Sequence, residues 1–396
     1  MKALAGLRVL DLTHMLSGPY ATMLLADMGA EIIKLEPPRG EATRALLADD
    51  PEHSIDGMGA YFLLLGRNKR SVTLDLKHPD ARPLLDALVA RADIVISNFS
   101  VGVADRLGLA HDRLAHINPR IITCAITGFG ETGPHRHHAS FDMVAQATGG
   151  GMTLTGTGDA PLRAGLPIGD LGGGLMAAIG ILAAVQARHT IGRGQHVDIS
   201  MQDVQVSLLS YMATMYLLSG RTPPAVGNGH FVHVPYNSYA AADGHMILAI
   251  VTDASWQRLL TAMDLPALDI PVHRHQSGRL QARAAIDAAI AARLIQRPRG
   301  EWLDLLRAAD IPCAPVQTLA EALTDPQVLA RNMVVDVPHP GGTLTRQPGN
   351  PIKLSDTHED TFTAPPLLGQ HTRQVLADLL GLDAETLADL HDRGVI

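Results

Sequence analysis

One stretch of the chain offers chemistry before any fold is assumed: Leu166-Pro167-Ile168-Gly169-Asp170-Leu171-Gly172-Gly173-Gly174. An Asp at the start of a helix is kept ionised by the helix dipole and by free amides. Glycines beside it let an acyl carbonyl approach those amides, which can stabilise an oxyanion. An ionised, reachable carboxylate can attack an activated carbonyl. The same pattern also describes a plain helix cap, because Asp favours that position and Gly favours turns. The residues alone leave both readings open. The 19 histidines invite a metal reading, with the densest group at His135, His137 and His138 beside Arg136, and a second pair at His230 and His233. Neither has metal-ligand spacing with a third ligand, so no metal site is expected. The chain has no G-x-G-x-x-G after an early strand, no Walker-type phosphate loop and no G-x-S-x-G elbow.

The elements that must position Asp170 are legible as an alternation. Strand-like runs at Arg8–Leu12, Glu31–Leu35, Val72–Leu76, Ile94–Ser97, Ile121–Ile126 and Gln195–Ser200 are separated by helical stretches such as Pro19–Met28 and 81–90. That alternation implies a parallel sheet covered on both faces. From about residue 236 the character changes. A hairpin is expected across Asp243-Gly244, followed by helices at Trp256–Met263, Arg279–Leu294 and Glu301–Ala309. The last 70 residues read as proline-rich turns ending in helices near 370–380 and 384–392. The expected organisation is a large α/β domain over 1–205 plus 325–396, a linker at 206–235, a small α+β domain at 236–316 and a return linker at 317–325.

The chain has 396 residues, 46% hydrophobic and 18% charged, which excludes a disordered or low-complexity protein. Lys+Arg 32 against Asp+Glu 40 leaves −8, so no nucleic-acid partner is expected. The uncharged run from Leu171 to Val185 is too short to be a membrane span and reads as a buried core helix. Cys124 and Cys313 read as buried free thiols. With no apolar stretch ahead of a cleavage site, the expected compartment is the cytoplasm.

Ten collinear fragments resemble the class III CoA-transferase family, the formyl-CoA:oxalate and carnitine CoA-transferase group that also includes α-methylacyl-CoA racemases. They are GLRVLDL from Gly6, SGPYAT from Ser17, DMGAEIIKLEPP from Asp27, NKRSVTLDLK from Asn68 and Asn98-Phe99. DRLG from Asp105, TGFGETGP from Thr127, IGDL from Ile168, GRGQHVDISMQD from Gly192 and PLLGQHT from Pro366 complete the series. The resemblance places the family's nucleophilic aspartate on Asp170. It implies a mixed anhydride and then an aspartyl-CoA thioester on that residue, with Glu131 assisting turnover. It places coenzyme A, a substrate and not a resident cofactor, along Leu16, Ser17, Arg39, Leu74, Asp75, Lys77, Asn98, Phe99, Arg106, Thr127, Gly128 and Phe129. His138, His230 and Tyr236, with Arg136, are its candidate binders of a small mono- or dicarboxylic acid, and succinyl-CoA is the leading donor. It also implies a Rossmann-like large domain and a homodimer of two chains threaded as linked rings.

Two other readings compete with a transferase. The racemases carry a His where this chain has Phe141, and a phenylalanine cannot exchange a proton. A CoA-binding protein without turnover need not keep an Asp beside open glycines, and this chain has both.

Overall fold

Short consecutive apolar runs drive the large sheet, because alternate side chains of a strand enter opposite faces and both faces are buried. The computed structural model describes residues 2–158, 160–357 and 361–396. Six strands form one parallel sheet: β1 (Arg8–Asp11), β2 (Glu31–Glu36), β3 (Lys69–Thr73), β4 (Ile94–Ser97), β5 (Ile122–Thr127) and β6 (His196–Ser200). Their order is β3-β2-β1-β4-β5-β6. This is the doubly wound arrangement, in which the direction of strand order reverses between β1 and β4 while all strands stay parallel. Leu10, Ile33, Val72 and Val95 enter one core, which the chain's end completes with Val375, Leu376, Leu390 and Val395. Val9, Ile32, Ile94 and Ile122 enter the other, under helices α1 (Ser17–Asp27), α2 (Asp142–Thr148) and α3 (Ile168–Ile191).

One difference from the sequence reading has a clear physical cause. The third strand lies three residues earlier than expected, at Lys69–Thr73, and starts on a buried charge. Lys69 donates to Asp11 (3.0 Å), to the Thr22 hydroxyl (2.7 Å) and to the Pro19 carbonyl (3.1 Å), so its ammonium is satisfied inside. Past Thr73 the ladder ends, and the Asp75 amide turns to the carbonyl of Val395 (2.8 Å). α3, at 24 residues, is long and apolar enough to cross a membrane, yet Ala177, Ala178, Ile181 and Ala184 are buried in the core.

The chain divides into two compact units, one of residues 1–151, 163–210 and 326–396 and one of residues 152–162 and 211–325. Residues 152–162, read from sequence within the large domain, belong to the second unit, where the Gly227 amide bonds the Gly156 carbonyl at 2.7 Å. That unit has a hairpin of Tyr236–Ala241 and Gly244–Ala249, with its turn at 242–243, one residue before the expected pair. Cys313–Pro315 adds a third strand. Its thiol is half-buried, whereas that of Cys124 is fully buried. The helix expected at Arg279–Leu294 is two, Gln276–Gln281 and Arg283–Leu294. In the tail, the proline-rich stretch includes a hairpin of Val334–Pro338 and Leu344–Pro348 that its prolines concealed.

Candidate functional site

Asp170 lies in the first turn of α3, two residues after its first residue, Ile168. It does not cap the helix. The cap comes from Asp142, the first residue of α2, whose Oδ1 accepts from the amides of Gly169 (2.8 Å) and Asp170 (3.3 Å). A Cβ on Gly169 would lie 2.9 Å from that oxygen, so glycine permits the close approach. The other Asp142 oxygen accepts from Gln146 (2.7 Å), and Gln146 in turn holds the Ala164 amide (2.9 Å) of the loop entering α3. This arrangement frees the Asp170 carboxylate, which has no hydrogen-bond or ion-pair partner among the described residues. Burial, reinforced by the Asp142 charge, raises its pKa to about 6. The expectation of a carboxyl held low by free helix amides is therefore corrected. The carboxylate is still mostly ionised at pH 7, and is more basic than an ordinary Asp.

The glycines after Asp170 also differ from expectation. They sit inside the helix and bring helices together. A Cβ on Gly172 would meet Val204 at 3.0 Å, on the helix α4 (Met201–Leu208). One on Gly174 would lie 2.5 Å from the Ser17 carbonyl of α1. The first four amides of α3 are occupied within the chain: Ile168 bonds Leu166 O (2.8 Å), Gly169 and Asp170 bond Asp142, and Leu171 bonds Pro167 O (2.9 Å). They form no open oxyanion hole.

Two clefts adjoin at the carboxyl ends of the strands and share His14 and Phe99 on their walls. Ligands of doubly wound sheets bind at this reversal point. The larger, about 380 Å³, has apolar walls of Leu12, Leu35, Leu74, Leu76 and Phe99, and Arg39, Asp75 and Lys77 also line it. Such walls suit a flat heterocycle, and the two cations suit phosphates. The smaller, about 120 Å³, holds Asp170 with Leu16, Ser17, Asn98, Thr127, Gly128, Arg136 and His138.

The loop between β1 and α1 is fixed from below and from the side. Asp11 accepts from the Thr13 amide (2.9 Å) and Thr22 hydroxyl (2.7 Å), and Lys34 donates to the Thr13 carbonyl (2.9 Å). Burial alone would raise the Asp11 carboxyl, but Lys69, Lys34 and the Thr13 hydrogen bonds hold it well below the usual carboxylate range. A Cβ on Gly18 would fall 2.4 Å from Thr13, so the turn needs glycine. Asn98 clamps the loop by accepting from the His14 amide (2.9 Å) and donating to its carbonyl (2.7 Å).

The remaining sequence candidates scatter. Arg106 closes the short helix Val103–Arg106 and lines neither cleft; its neighbour Leu107 does. Phe129 packs edge-on against His135 and His138, at 6.0 and 5.8 Å between ring centres. Glu131 lies outside the Asp170 cleft. It lines a separate cavity of about 260 Å³ and bonds His196 at 2.7 Å. The His196 hydrogen bond, set against partial burial, lowers its pKa. In the second unit, His230 packs against His233 and Tyr236, at 4.7 and 5.0 Å between ring centres. Asp142 is the residue that sequence reasoning missed. It stands 28 positions from Asp170, and only an Asp in a helix's first turn hinted at it.

A doubly wound sheet with a ligand cleft at its strand-order reversal and a free carboxylate beside it defines an α/β enzyme of the nucleotide-ligand type. The chain belongs to CoA-transferase family III, whose family model matches residues 4–372. It is 39% identical to a succinyl-CoA:mesaconate CoA-transferase of Haloarcula marismortui, over 98% of each chain. It is 38% identical to a formyl-CoA:oxalate CoA-transferase of Streptomyces avermitilis, over 100% of each. Among solved structures, a CaiB/BaiF family protein of Brucella suis matches with a TM-score of 0.83 at 36% identity, covering 96% of this chain and 99% of that one. The protein is therefore a class III CoA-transferase, an enzyme whose substrates are CoA thioesters and carboxylates.

Proposed function

We propose that the enzyme moves coenzyme A from an acyl-CoA donor, succinyl-CoA first among candidates, to a small mono- or dicarboxylic acid through Asp170. The observation that carries this reading is the Asp170 carboxylate: half-buried, unpartnered among the described residues and raised to about 6. A carboxylate of raised basicity is the better nucleophile toward a thioester carbonyl. Its oxygen forms a C–O bond to the donor's acyl carbon, the C–S bond breaks, and the CoA thiolate leaves a mixed anhydride. The thiolate then attacks the Asp170 carbonyl carbon and expels the donor acid, giving an aspartyl-CoA thioester. The acceptor carboxylate attacks that thioester, and the thiolate finally takes the acceptor's acyl group and frees Asp170. Each thioester is exchanged for another, so the sequence runs near thermal neutrality.

In this reading the larger cleft takes the adenine end of coenzyme A against Leu74 and Phe99, with Arg39 and Lys77 toward its phosphates. Arg136 and His138, on the wall of the Asp170 cleft, meet the acceptor's carboxylate. Glu131 is left outside this machinery because His196 already engages it. The reading also takes the working form to be a homodimer of threaded chains. It draws support from apolar side chains that one chain leaves uncovered, among them Leu217 (79% exposed), Leu218 (84%) and Leu319 (77%). An active monomer by light scattering would overturn that part.

The test is peptide mass spectrometry after incubation with succinyl-, acetyl-, formyl- or propionyl-CoA and a hydroxylamine quench. A hydroxamate on Asp170 with one donor identifies both the nucleophile and the donor class. CoA binding without any adduct, from any donor, would overturn the covalent route.

A further inference from the structure

Attack at an acyl carbon drives negative charge onto a carbonyl oxygen, and a preorganised donor there is a large part of catalysis. The amides that begin α3 are all occupied, so the donor must come from elsewhere. We propose that the Ser17 hydroxyl is this donor and is a catalytic residue for the steps at the Asp170 acyl carbon. The inference rests on Asp170 being the nucleophile.

Three observations converge on Ser17. It is only 3% exposed, and its Oγ is buried with no hydrogen-bond partner. It lines the cleft that holds Asp170. It also lies against the helix face that carries Asp170: a Cβ on Gly173 would stand 3.0 Å from Ser17 Oγ. Residues 170, 173 and 174 share one face of α3, three and four positions apart. An idle buried hydroxyl is costly, so one kept beside a reacting carboxylate has a use that appears during the reaction.

The CoA thiolate forms a C–S bond to Cγ of the Asp170 anhydride, and the carbonyl electron pair moves onto the Asp170 oxygen. Ser17 donates its O–H to that oxygen and keeps its proton. Collapse restores the carbonyl, breaks the bond to the donor acid and releases that acid as a carboxylate. The same oxygen carries charge again when the acceptor attacks the aspartyl-CoA thioester and expels thiolate.

The experiment compares wild type with Ser17→Ala by steady-state kinetics, hydroxylamine trapping at Asp170 and thermal unfolding. Loss of one such donor lowers kcat by about 100-fold. The donor KM should stay within about threefold and Tm should not fall, because the hydroxyl removed has no partner in the resting protein. If wild type traps at Asp170 and Ser17→Ala keeps kcat within threefold, the Ser17 role is wrong and Asp170 stands. A raised KM with unchanged kcat would make Ser17 a binding group, and a lowered Tm a structural one; either overturns the proposal. If wild type itself gives no Asp170 adduct, the nucleophile reading fails and takes this one with it.

Discussion

Asp170 and Glu131 are the two carboxylates that the sequence offered as catalytic, and their surroundings differ in sign. Glu131 ends in a hydrogen bond to His196 at 2.7 Å, while the Thr123 hydroxyl lies 2.7 Å from the other nitrogen of that ring. Its pKa falls. Asp170 has burial and a second carboxylate for neighbours, and its pKa rises to about 6. A carboxylate already engaged by a histidine is a poor nucleophile, because attack must first break that bond. A carboxylate whose amide and helix are capped by another residue keeps its lone pairs for a substrate. A helix-start aspartate keeps its carboxylate available when another residue does the capping.

The largest expected effect is at Asp170. Asp170→Asn should lower turnover by at least about 10⁴-fold, as loss of a nucleophile does, and residual transfer near wild type would erase the contrast with Glu131. The same variant should be more stable than wild type at pH 7. Asp170 binds its proton more tightly folded than unfolded, so stability falls as pH rises from about 4 to about 6 and stays lowered above that. The gain should vanish below about pH 4, where both states are protonated. Equal melting temperatures at pH 7 would show that Asp170 is not strained.

Gly174→Ala should come next. Its Cβ would lie 2.5 Å from the Ser17 carbonyl, forcing α3 from α1. A loss of about 1–3 kcal/mol is expected, measured by denaturant unfolding, and an unchanged midpoint would mean that the helices part freely.

The acid limb of kcat against pH should lie near 6, where Asp170 loses its charge. Asp142→Asn keeps an oxygen for the cap and removes the neighbouring charge, so that limb should move to lower pH, only in part because burial is the larger cause. It also sets an amide against the Gln146 donor, which should cost about 1–2 kcal/mol. An unmoved limb would separate Asp142 from Asp170 electrostatically. The smallest effect belongs to Glu131→Gln. Turnover should stay within about threefold, with at most about 1 kcal/mol of stability lost at pH 7. For wild type, the Glu131 contribution is present above its unfolded pKa and fades as pH falls, opposite in direction to that of Asp170. A loss of activity near that of Asp170→Asn would return Glu131 to the machinery.

Much of this was legible in the residues. The strands at Arg8–Asp11, Glu31–Glu36 and Ile94–Ser97 follow from short apolar runs between helical stretches, a local property of the chain. Lys69 misled because a buried ammonium and a solvated one are written alike in a sequence. Its partner Asp11 is 58 positions away. The glycine triplet misled for a similar reason: the absence of a side chain signals close approach without saying what approaches.

By itself, then, the chain determined its alternating αβ order, its family and the position of the candidate nucleophile, because all three reside in residue type and spacing. Tertiary structure alone decided the chemistry of that position. It brought Asp142 to the α3 amides and set the orphan Ser17 hydroxyl beside the Gly173 face. It also turned Glu131 toward His196. A pKa or a hydrogen bond depends on charges and dipoles within a few ångströms, and which residues come that close is settled only when the chain is packed.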